Sequence, residues 1–241
     1  TVLKAGASPV PHAEILEFVK PMLAKEGIDL QITQFSDYII PNTAVEAHEI
    51  EANYFQHLPY LDSFNKDNGT HLVSAVAVHY EPMGLFAGKT ASLDELKDGA
   101  TIAVPNDPTN EARALLLLEQ EGIIKIKDGA GLSATPLDIV DNPKNIKFFE
   151  AEAAAVARAI QDVDFAIING NYALGAGFKV SDALAVESAE SEAAQTFANI
   201  VAVYEGDESK PEIQALVKAL TSEETKKFIE DKYEGAVVPV F

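Results

Sequence analysis

The chain of 241 residues carries 38 acidic and 18 basic residues, for a formal net charge of −20. This charge excludes a function that needs a basic surface, so we expect neither nucleic acid nor anionic lipid as an electrostatic partner. Hydrophobic residues make up 47% of the chain, which is typical of a globular protein with one large or two modest domains. The absence of cysteine excludes disulfides and thiol catalysis.

The first 80 residues alternate between strand and helix patterns. Apolar residues recur at helical spacing over residues 12–26, and Gly27 ends that helix. The next segment, residues 30–33, alternates apolar and polar residues as a strand does, and later segments repeat this succession. We predict strands over residues 2–5, 30–33, 52–57 and 72–78, with helices over residues 12–26, 36–47 and 58–68 between them. This βαβαβαβ order predicts a parallel sheet with helices on its faces.

A second alternating series follows an extended segment that Pro82 and Gly84 interrupt. We predict strands over residues 101–104, 146–149, 165–168 and 183–186, and helices over residues 107–120, 151–161, 210–220 and 222–232. The extended apolar segment Asn199–Tyr204 is predicted to be a second crossing between two halves of the chain. Two α/β lobes with two crossings would place a ligand cleft between the lobes.

The segment at residues 52–61, ANYFQHLPYL, concentrates aromatic and polar side chains. Tyr54, Phe55 and His57 suit the wall of a binding pocket, because aromatic faces with a few polar groups are typical of ligand sites. An ordinary strand-to-helix turn with buried aromatic residues is the alternative. This segment alone does not decide between the two.

A helix start at residues 105–113 supplies a candidate anion site. Asp107 is a good N-cap and Pro108 suits the first helical position. Asn110 and Arg113 then share one helix face, and Arg113 is one of only two arginines in the chain. A guanidinium beside a helix N-terminus predicts a carboxylate clamp. A surface salt bridge with one of the many acids is the alternative.

A metal site is a weaker hypothesis. His57, His79 and Glu81 could supply zinc ligands, but the spacing lacks a zinc-binding helical pattern, so a pocket wall is favoured. The sequence also lacks a nucleophile-elbow motif and a phosphate-binding glycine loop. These absences give little support to nucleophilic catalysis, although a Ser-His-Asp set assembled in space stays open. We expect no enzyme activity, no cofactor and no bound metal.

Many ordered motifs along nearly the whole chain resemble those of the NlpA/MetQ family of methionine-binding lipoproteins. The motifs are GASP at 6–9, PHAEI at 11–15, ANYFQHLPYL at 52–61, EPMGL at 81–85, SLDEL at 92–96, PNDPTN at 105–110, KIKDGAGL at 125–132, DNPKN at 141–145 and INGNYA at 168–173. The resemblance implies an α/β, type II-like periplasmic-binding-protein fold with two lobes and two crossovers. Residues 1–82 with 198–241 would form lobe I and residues 83–197 lobe II.

The resemblance also implies the site. Arg113 would bind the ligand carboxylate beside Asn110, Asn169 and Asn199 would hold its amino and carboxylate groups, and aromatic residues would surround its thioether. The expected ligand-binding residues are Tyr54, Phe55, His57, His79, Glu81, Asn110, Arg113, Asn169 and Asn199. The roles of His79 and Glu81 are the least defined, because family members differ there.

The implied function is ligand binding for an ABC importer outside the cytoplasm. L-methionine is the expected ligand, with D-methionine, a short methionine-containing peptide or a periplasmic-binding-like enzyme as alternatives. The expected partner is the permease and ATPase complex, and the chain itself is expected to be a monomer. The family carries a lipid on a cysteine, which this sequence does not contain, so membrane anchoring or a periplasmic location is expected from the resemblance alone.

Overall fold

The computed structural model describes residues 1–188 and 195–241. Contacts along the chain divide it into two compact units, Thr1–Glu81 with Glu190–Phe241 (unit 1) and Pro82–Ala189 (unit 2). The domain boundaries expected from the sequence, at 82/83 and 197/198, stay a prediction. Among the described helices, none has the length and apolar character needed to cross a bilayer.

The secondary structure mixes strands and helices throughout the described ranges, which confirms the α/β class. The strands are β1 (Val2–Ala7), β2 (Asp29–Gln34), β3 (Ala52–His57), β4 (Leu72–Tyr80), β5 (Gly84–Ala87), β6 (Thr101–Pro105), β7 (Lys125–Ile126), β8 (Ile139–Asp141), β9 (Lys147–Ala151), β10 (Phe165–Ile168), β11 (Ala185–Val186), β12 (Asn199–Tyr204) and β13 (Val238–Pro239). The α-helices are α1 (Glu14–Ala24), α2 (Ile40–Glu46), α3 (Leu58–Asn68), α4 (Pro108–Gln120), α5 (Ala153–Val156), α6 (Gly170–Gly175), α7 (Pro211–Leu220) and α8 (Glu223–Tyr233).

Unit 1 contains a mixed six-stranded sheet in the order β13-β4-β12-β3-β1-β2. Strand β1 pairs in parallel with β2 and β3, as predicted. Strand β12 lies between β3 and β4 and runs antiparallel to both, so the prediction of a purely parallel sheet is wrong at its centre. The segment predicted as a crossing is thus a central strand of unit 1. Local patterns do not specify which distant strand fills a gap in a sheet.

Strand β3 and helix α3 follow directly from the aromatic segment. All six residues of β3 are buried, and the strand ends where Pro59 enters the first turn of α3. Nδ1 of His57 accepts a hydrogen bond from the backbone N–H of Tyr60 at 3.1 Å and so caps the helix. Gly69 ends the helix in the left-handed conformation, with φ of 64°. The change from strand to helix at His57 therefore sets the positions of the last side chains of β3.

Unit 2 contains a five-stranded sheet in the order β11-β5-β10-β6-β9. Its central strand β10 is fully buried, and β6 pairs in parallel with both β10 and β9. Helix α4 contributes Leu115, Leu117 and Leu118 to the core of this unit. The long helix predicted over residues 151–161 is wrong, because β9 extends to Ala151 and α5 has only four residues before a 3-10 segment, Ala157–Asp162.

Candidate functional site

Unit 1 brings five predicted or newly identified polar residues together in what we call the histidine cluster: His12, Tyr54, His79, Glu81 and Asn199. The sheet explains most of this arrangement, because Asn199 at the start of β12 is paired with His79 on β4 and with His57 on β3. His12 comes from the segment that precedes α1 and is fully buried. All five side chains are buried, so their polar atoms depend on one another for hydrogen bonds.

The hydrogen bonds of the histidine cluster form a continuous chain. Nε2 of His79 lies 2.6 Å from Oε2 of Glu81, and its Nδ1 contacts the hydroxyl of Tyr54. Nε2 of His12 lies 3.3 Å from the same Glu81 oxygen and 2.8 Å from Oδ1 of Asn199. The His12 ring also meets the Tyr54 ring edge-on, with centroids 4.7 Å apart. Glu81 is therefore the common acceptor of both imidazoles.

Burial and charge set the protonation of this cluster. Burial alone raises the pKa of Glu81, but the two histidines outweigh it and hold the pKa well below its usual range, so Glu81 is a carboxylate. Burial lowers the pKa of His79 despite its bond to Glu81, which favours the neutral imidazole. Burial, followed by the charge of Glu81, raises the pKa of Tyr54 well above its usual value. The cluster is thus one buried anion surrounded by hydrogen-bond donors.

Within the described ranges, one set of three residues has the ligand atoms and proximity to hold a metal ion, and it is His12, His79 and Glu81, with ligand atoms within 4.8 Å of one another. The sequence-based metal hypothesis had His57 in place of His12. His57 instead caps α3 and packs its ring against Phe197, with centroids 5.0 Å apart. The carboxylate of Glu81 is already engaged by both imidazoles, at 2.6 and 3.3 Å, whereas Nδ1 of His12 has no hydrogen-bond partner among the described residues.

The three aromatic residues predicted as one pocket wall lie in two groups. Tyr54 belongs to the histidine cluster, whereas Phe55 packs in a separate buried group with Tyr60. The strand has a β-bulge at this point, since β12 pairs Ile200 with Gln56 and the next residue with Tyr54, which leaves Phe55 unpaired. The structure places Phe55 and His57 beside the same Tyr60 ring, with centroids 6.0 and 6.3 Å away. Their contact with a ligand stays a prediction.

Unit 2 holds a second group, which we call the arginine cluster: Asp107, Asn110, Arg113, Asn169 and Glu187. Arg113 on α4 donates two hydrogen bonds of 2.6 Å to Glu187, from Nε to Oε2 and from Nη2 to Oε1. Both side chains are buried, so this is a bidentate buried ion pair and not the surface salt bridge considered from the sequence. Oε1 of Glu187 also accepts a bond from the backbone N–H of Met83 at 2.8 Å.

The start of α4 organises the amides of the arginine cluster. Asp107 caps the helix as predicted, because its Oδ2 accepts from the Asn110 backbone N–H at 3.1 Å and from the Asn110 side chain at 2.9 Å. Oδ1 of Asn110 then accepts from Nδ2 of Asn169 at 3.2 Å. Oδ1 of Asn169 is buried and has no hydrogen-bond partner among the described residues. A buried acceptor without a hydrogen-bond donor destabilises the folded protein by about 1–3 kcal/mol, so a ligand that supplies a donor would remove this cost.

Glu111 lies on the same helix, in a position that disfavours charge. Burial raises the pKa of Glu111 to about 8, and the neighbouring carboxyl of Glu150 adds to the effect. Burial likewise raises the pKa of Asp107, against the hydrogen bonds from Asn110 and Thr109. The first turns of α4 therefore combine the permanent cation of Arg113 with a carboxyl group that is partly protonated near neutral pH.

Two members of these clusters were missed by the sequence analysis. His12 lies in the PHAEI motif at 11–15, but nothing in that pattern assigns it a partner. Glu187 follows the two-residue strand β11, and no local pattern distinguishes it from the other acids. The rarity of arginine gave an indirect signal, because a buried Arg113 requires a carboxylate partner somewhere in the chain. The structure identifies that partner as Glu187.

Comparison with known proteins decides the family. A family model described as NlpA lipoprotein matches residues 3–241. The chain belongs to the NlpA lipoprotein family. A curated member, the D-methionine-binding lipoprotein MetQ of Salmonella typhimurium, is 39% identical over 241 residues, which covers 98% of this chain and 87% of that protein. The family membership predicted from the motifs is thus confirmed.

Solved structures of similar proteins share the fold. A crystal structure from Ruminococcus gnavus is 57% identical and matches with a TM-score of 0.99, over 100% of this chain and 99% of that one. A nutrient-binding protein from Burkholderia cenocepacia, solved bound to methionine, is 43% identical with a TM-score of 0.94, over 99% and 100% of the two chains. These likenesses confirm the predicted periplasmic-binding-protein fold class.

Proposed function

We propose that this NlpA-family protein binds methionine outside the cytoplasm and delivers it to an ABC importer. The family match over almost the whole chain supports this proposal, as does the methionine-bound relative at 43% identity. The permease and ATPase complex is the partner that the motifs imply. Membrane attachment through a lipid on the family's cysteine belongs to the same proposal, as do monomeric assembly and the lack of enzyme activity.

The observation that carries the proposal within this structure is the unpaired buried acceptor Oδ1 of Asn169. Asn110 connects this amide to the helix turn that bears Arg113, so a hydrogen-bond acceptor and a cation belong to one cluster. An amino acid has complementary groups, because its ammonium donates hydrogen bonds and its carboxylate accepts them from a guanidinium. We assign the ammonium to Asn169 and the carboxylate to Arg113.

The remaining predicted contacts complete the proposed site. Asn110 orients Asn169 through a hydrogen bond of 3.2 Å, and Asn199 is a further amide that the family motifs predict to contact the ligand. Tyr54, Phe55 and His57 are the aromatic residues proposed near the thioether, where sulfur–aromatic contacts contribute modestly to affinity. We propose His79 and Glu81 as members of the site through the histidine cluster, since both ring nitrogens of His79 are engaged by Tyr54 and Glu81.

Titration calorimetry with L-methionine on the ligand-stripped protein tests the proposal. We expect saturable 1:1 binding and a melting temperature that rises with methionine concentration, because the ligand binds the folded state. Norleucine, which replaces the sulfur with a methylene, serves as the matched ligand control and should bind more weakly. Failure of both methionine enantiomers to bind would contradict the proposal.

D-methionine is the second candidate ligand, because a relative that is 39% identical over nearly the whole chain is named for it. The ammonium, the carboxylate and the side chain of the two enantiomers are arranged as mirror images around the α-carbon. The two ligands therefore require the hydrogen-bond acceptor for the ammonium at different positions. Parallel titrations with L- and D-methionine separate them. Asn169→Ala should weaken the preferred enantiomer more than the other, since it removes the proposed ammonium acceptor.

A further inference from the structure

The hydrogen bonds of His12 define which of its ring nitrogens carries the proton. Nε2 contacts two oxygens, Oε2 of Glu81 at 3.3 Å and Oδ1 of Asn199 at 2.8 Å. A carboxylate oxygen only accepts hydrogen bonds, so Nε2 is the donor. Nδ1 of His12 is buried and has no partner among the described residues, which suits a lone pair better than an N–H group. His12 is therefore the Nε2–H tautomer.

This tautomer orients the amide of Asn199. Because the Nε2–H group of His12 needs an acceptor, the carbonyl oxygen of Asn199 faces it. The amide nitrogen Nδ2 then lies at the opposite end of the planar group, directed away from His12. Rotating the amide by 180° would put two donors against each other. Asn199 is consequently held as a hydrogen-bond donor toward its other neighbours.

Glu81 holds both histidines in the same manner. His79 directs Nε2 at Glu81 from 2.6 Å, so Nε2 carries the proton and Nδ1 accepts from the Tyr54 hydroxyl. The buried carboxylate thus sets two imidazole tautomers at once. Among the described residues, the His12 branch leads to Asn199 and the His79 branch leads to Tyr54. The two branches differ in what they can influence, and that difference can be tested.

We propose that Glu81 and His12 are positioning residues that present Nδ2 of Asn199 as a donor to the ligand carboxylate. This inference rests on the proposed methionine binding and gives Glu81 and His12 a role through Asn199 instead of direct contact with the ligand. The positioning acts by removing the alternative amide orientation, in which the carbonyl oxygen would repel the carboxylate. Preorganised donors of this kind bind anions without reorganisation at the moment of binding.

The ring protons provide a direct test on the full-length protein without ligand. Long-range ¹H–¹⁵N correlation spectra distinguish the two neutral tautomers of histidine, and His12→Gln identifies the His12 signals among the five histidines. We expect the Nε2–H pattern for His12 in the wild-type protein and a mixture of tautomers in Glu81→Gln. An Nδ1–H pattern in the wild-type protein would overturn the proposal, whether or not methionine binds.

Binding measurements test the effect on Asn199. We expect His12→Phe and Asn199→Ala each to weaken methionine binding by roughly tenfold or more, the value of a hydrogen bond to a charged group. The double variant should lose no more than either single variant, because both act through one hydrogen bond. His12→Gln keeps a donor four bonds from Cα, as in histidine, and should bind within about threefold of the wild-type protein.

Two controls separate positioning from packing. Methioninol lacks the carboxylate, so His12→Phe should leave its affinity nearly unchanged. His71→Phe and His71→Gln introduce the same side chains at an exposed histidine of unit 1 and should not affect binding. Equal losses in His12→Gln and His12→Phe, or additive losses in the double variant, would overturn the positioning role. If His12→Phe does not fold, the spectra and His12→Gln still decide.

The binding measurements also separate the positioning of Asn199 from the proposed methionine binding. A wild-type protein that binds neither methionine enantiomer would overturn the proposed function. A wild-type protein that binds methionine, with variants of His12 and Asn199 that do not couple, would overturn only the positioning of Asn199.

Discussion

The histidine cluster of unit 1 and the arginine cluster of unit 2 each contain a buried carboxylate, but they neutralise it differently. Glu187 faces a guanidinium that stays charged at all accessible pH values. Glu81 faces the imidazoles of His12 and His79, and burial lowers the pKa of His79. The Arg113–Glu187 pair therefore keeps its charges at every accessible pH, whereas the histidine cluster holds its side chains through hydrogen bonds to a single carboxylate.

The largest expected effect comes from breaking the fixed pair. Arg113→Ala should abolish methionine binding and destabilise the protein by about 3–5 kcal/mol, because Glu187 would be left buried without its partner. Calorimetry measures the binding and urea unfolding measures the stability. The double variant Arg113→Met with Glu187→Met is the control, since it removes both charges and should recover much of the stability but not the binding. Wild-type affinity in Arg113→Ala would contradict the clamp.

The second prediction concerns the stability contributed by the histidine cluster. Glu81→Gln should cost about 1–3 kcal/mol at pH 7, because a charged acceptor of two buried hydrogen bonds is lost. The pKa of Glu81 lies below its unfolded value of about 4.3, so its stabilising contribution is present above that pH and declines as the pH falls. Urea unfolding of both proteins between pH 7 and 3 checks this, and the difference should narrow below about pH 4. A constant difference would argue against an ionised Glu81.

An effect with the opposite pH dependence is expected in unit 2. The pKa of Glu111 is raised to about 8, so the folded state binds its proton more tightly than the unfolded state, and stability falls as the pH rises from about 4.3 to 8. Glu111→Gln should therefore be more stable than the wild-type protein at pH 9 and equal to it at pH 4. Thermal unfolding at the two pH values gives the measurement. Glu150→Gln is the matched variant and should show the same sign.

The smallest effect compares the two helix caps. Asp107→Ala should cost about 1 kcal/mol, because the first turn of α4 loses its side-chain acceptor, while Asp107→Asn should cost only a few tenths. His57→Asn, which replaces the unusual cap of α3 with a common one, should be similarly mild. Urea unfolding of the three variants provides the comparison. A loss of several kcal/mol in Asp107→Asn would show that its charge, and not capping, is important.

The local elements were largely accessible from the sequence because their signals are local. Helix α3 begins and ends as predicted, since Pro59 and Gly69 restrict the backbone at its two ends. Asp107 and Pro108 likewise define the start of α4. The helix predicted over 151–161 begins later, because Ala151 pairs with Pro105 of β6, and after the four residues of α5 it continues as a 3-10 helix. The motifs were sufficient to place the chain in its family.

The sequence alone indicated the α/β class and most helix boundaries. Its resemblance to a family also nominated Asn110, Arg113, Asn169 and Asn199 as ligand contacts, which stay a prediction. The position of β12 between β3 and β4, which puts Asn199 next to His79, emerges only when the strands pack into a sheet. Packing also sets the partners His12 for Asn199 and Glu187 for Arg113, which are 187 and 74 residues apart in the chain. Hydrogen-bond partners at such separations are set by how strands and helices pack, which local periodicity and capping signals do not encode.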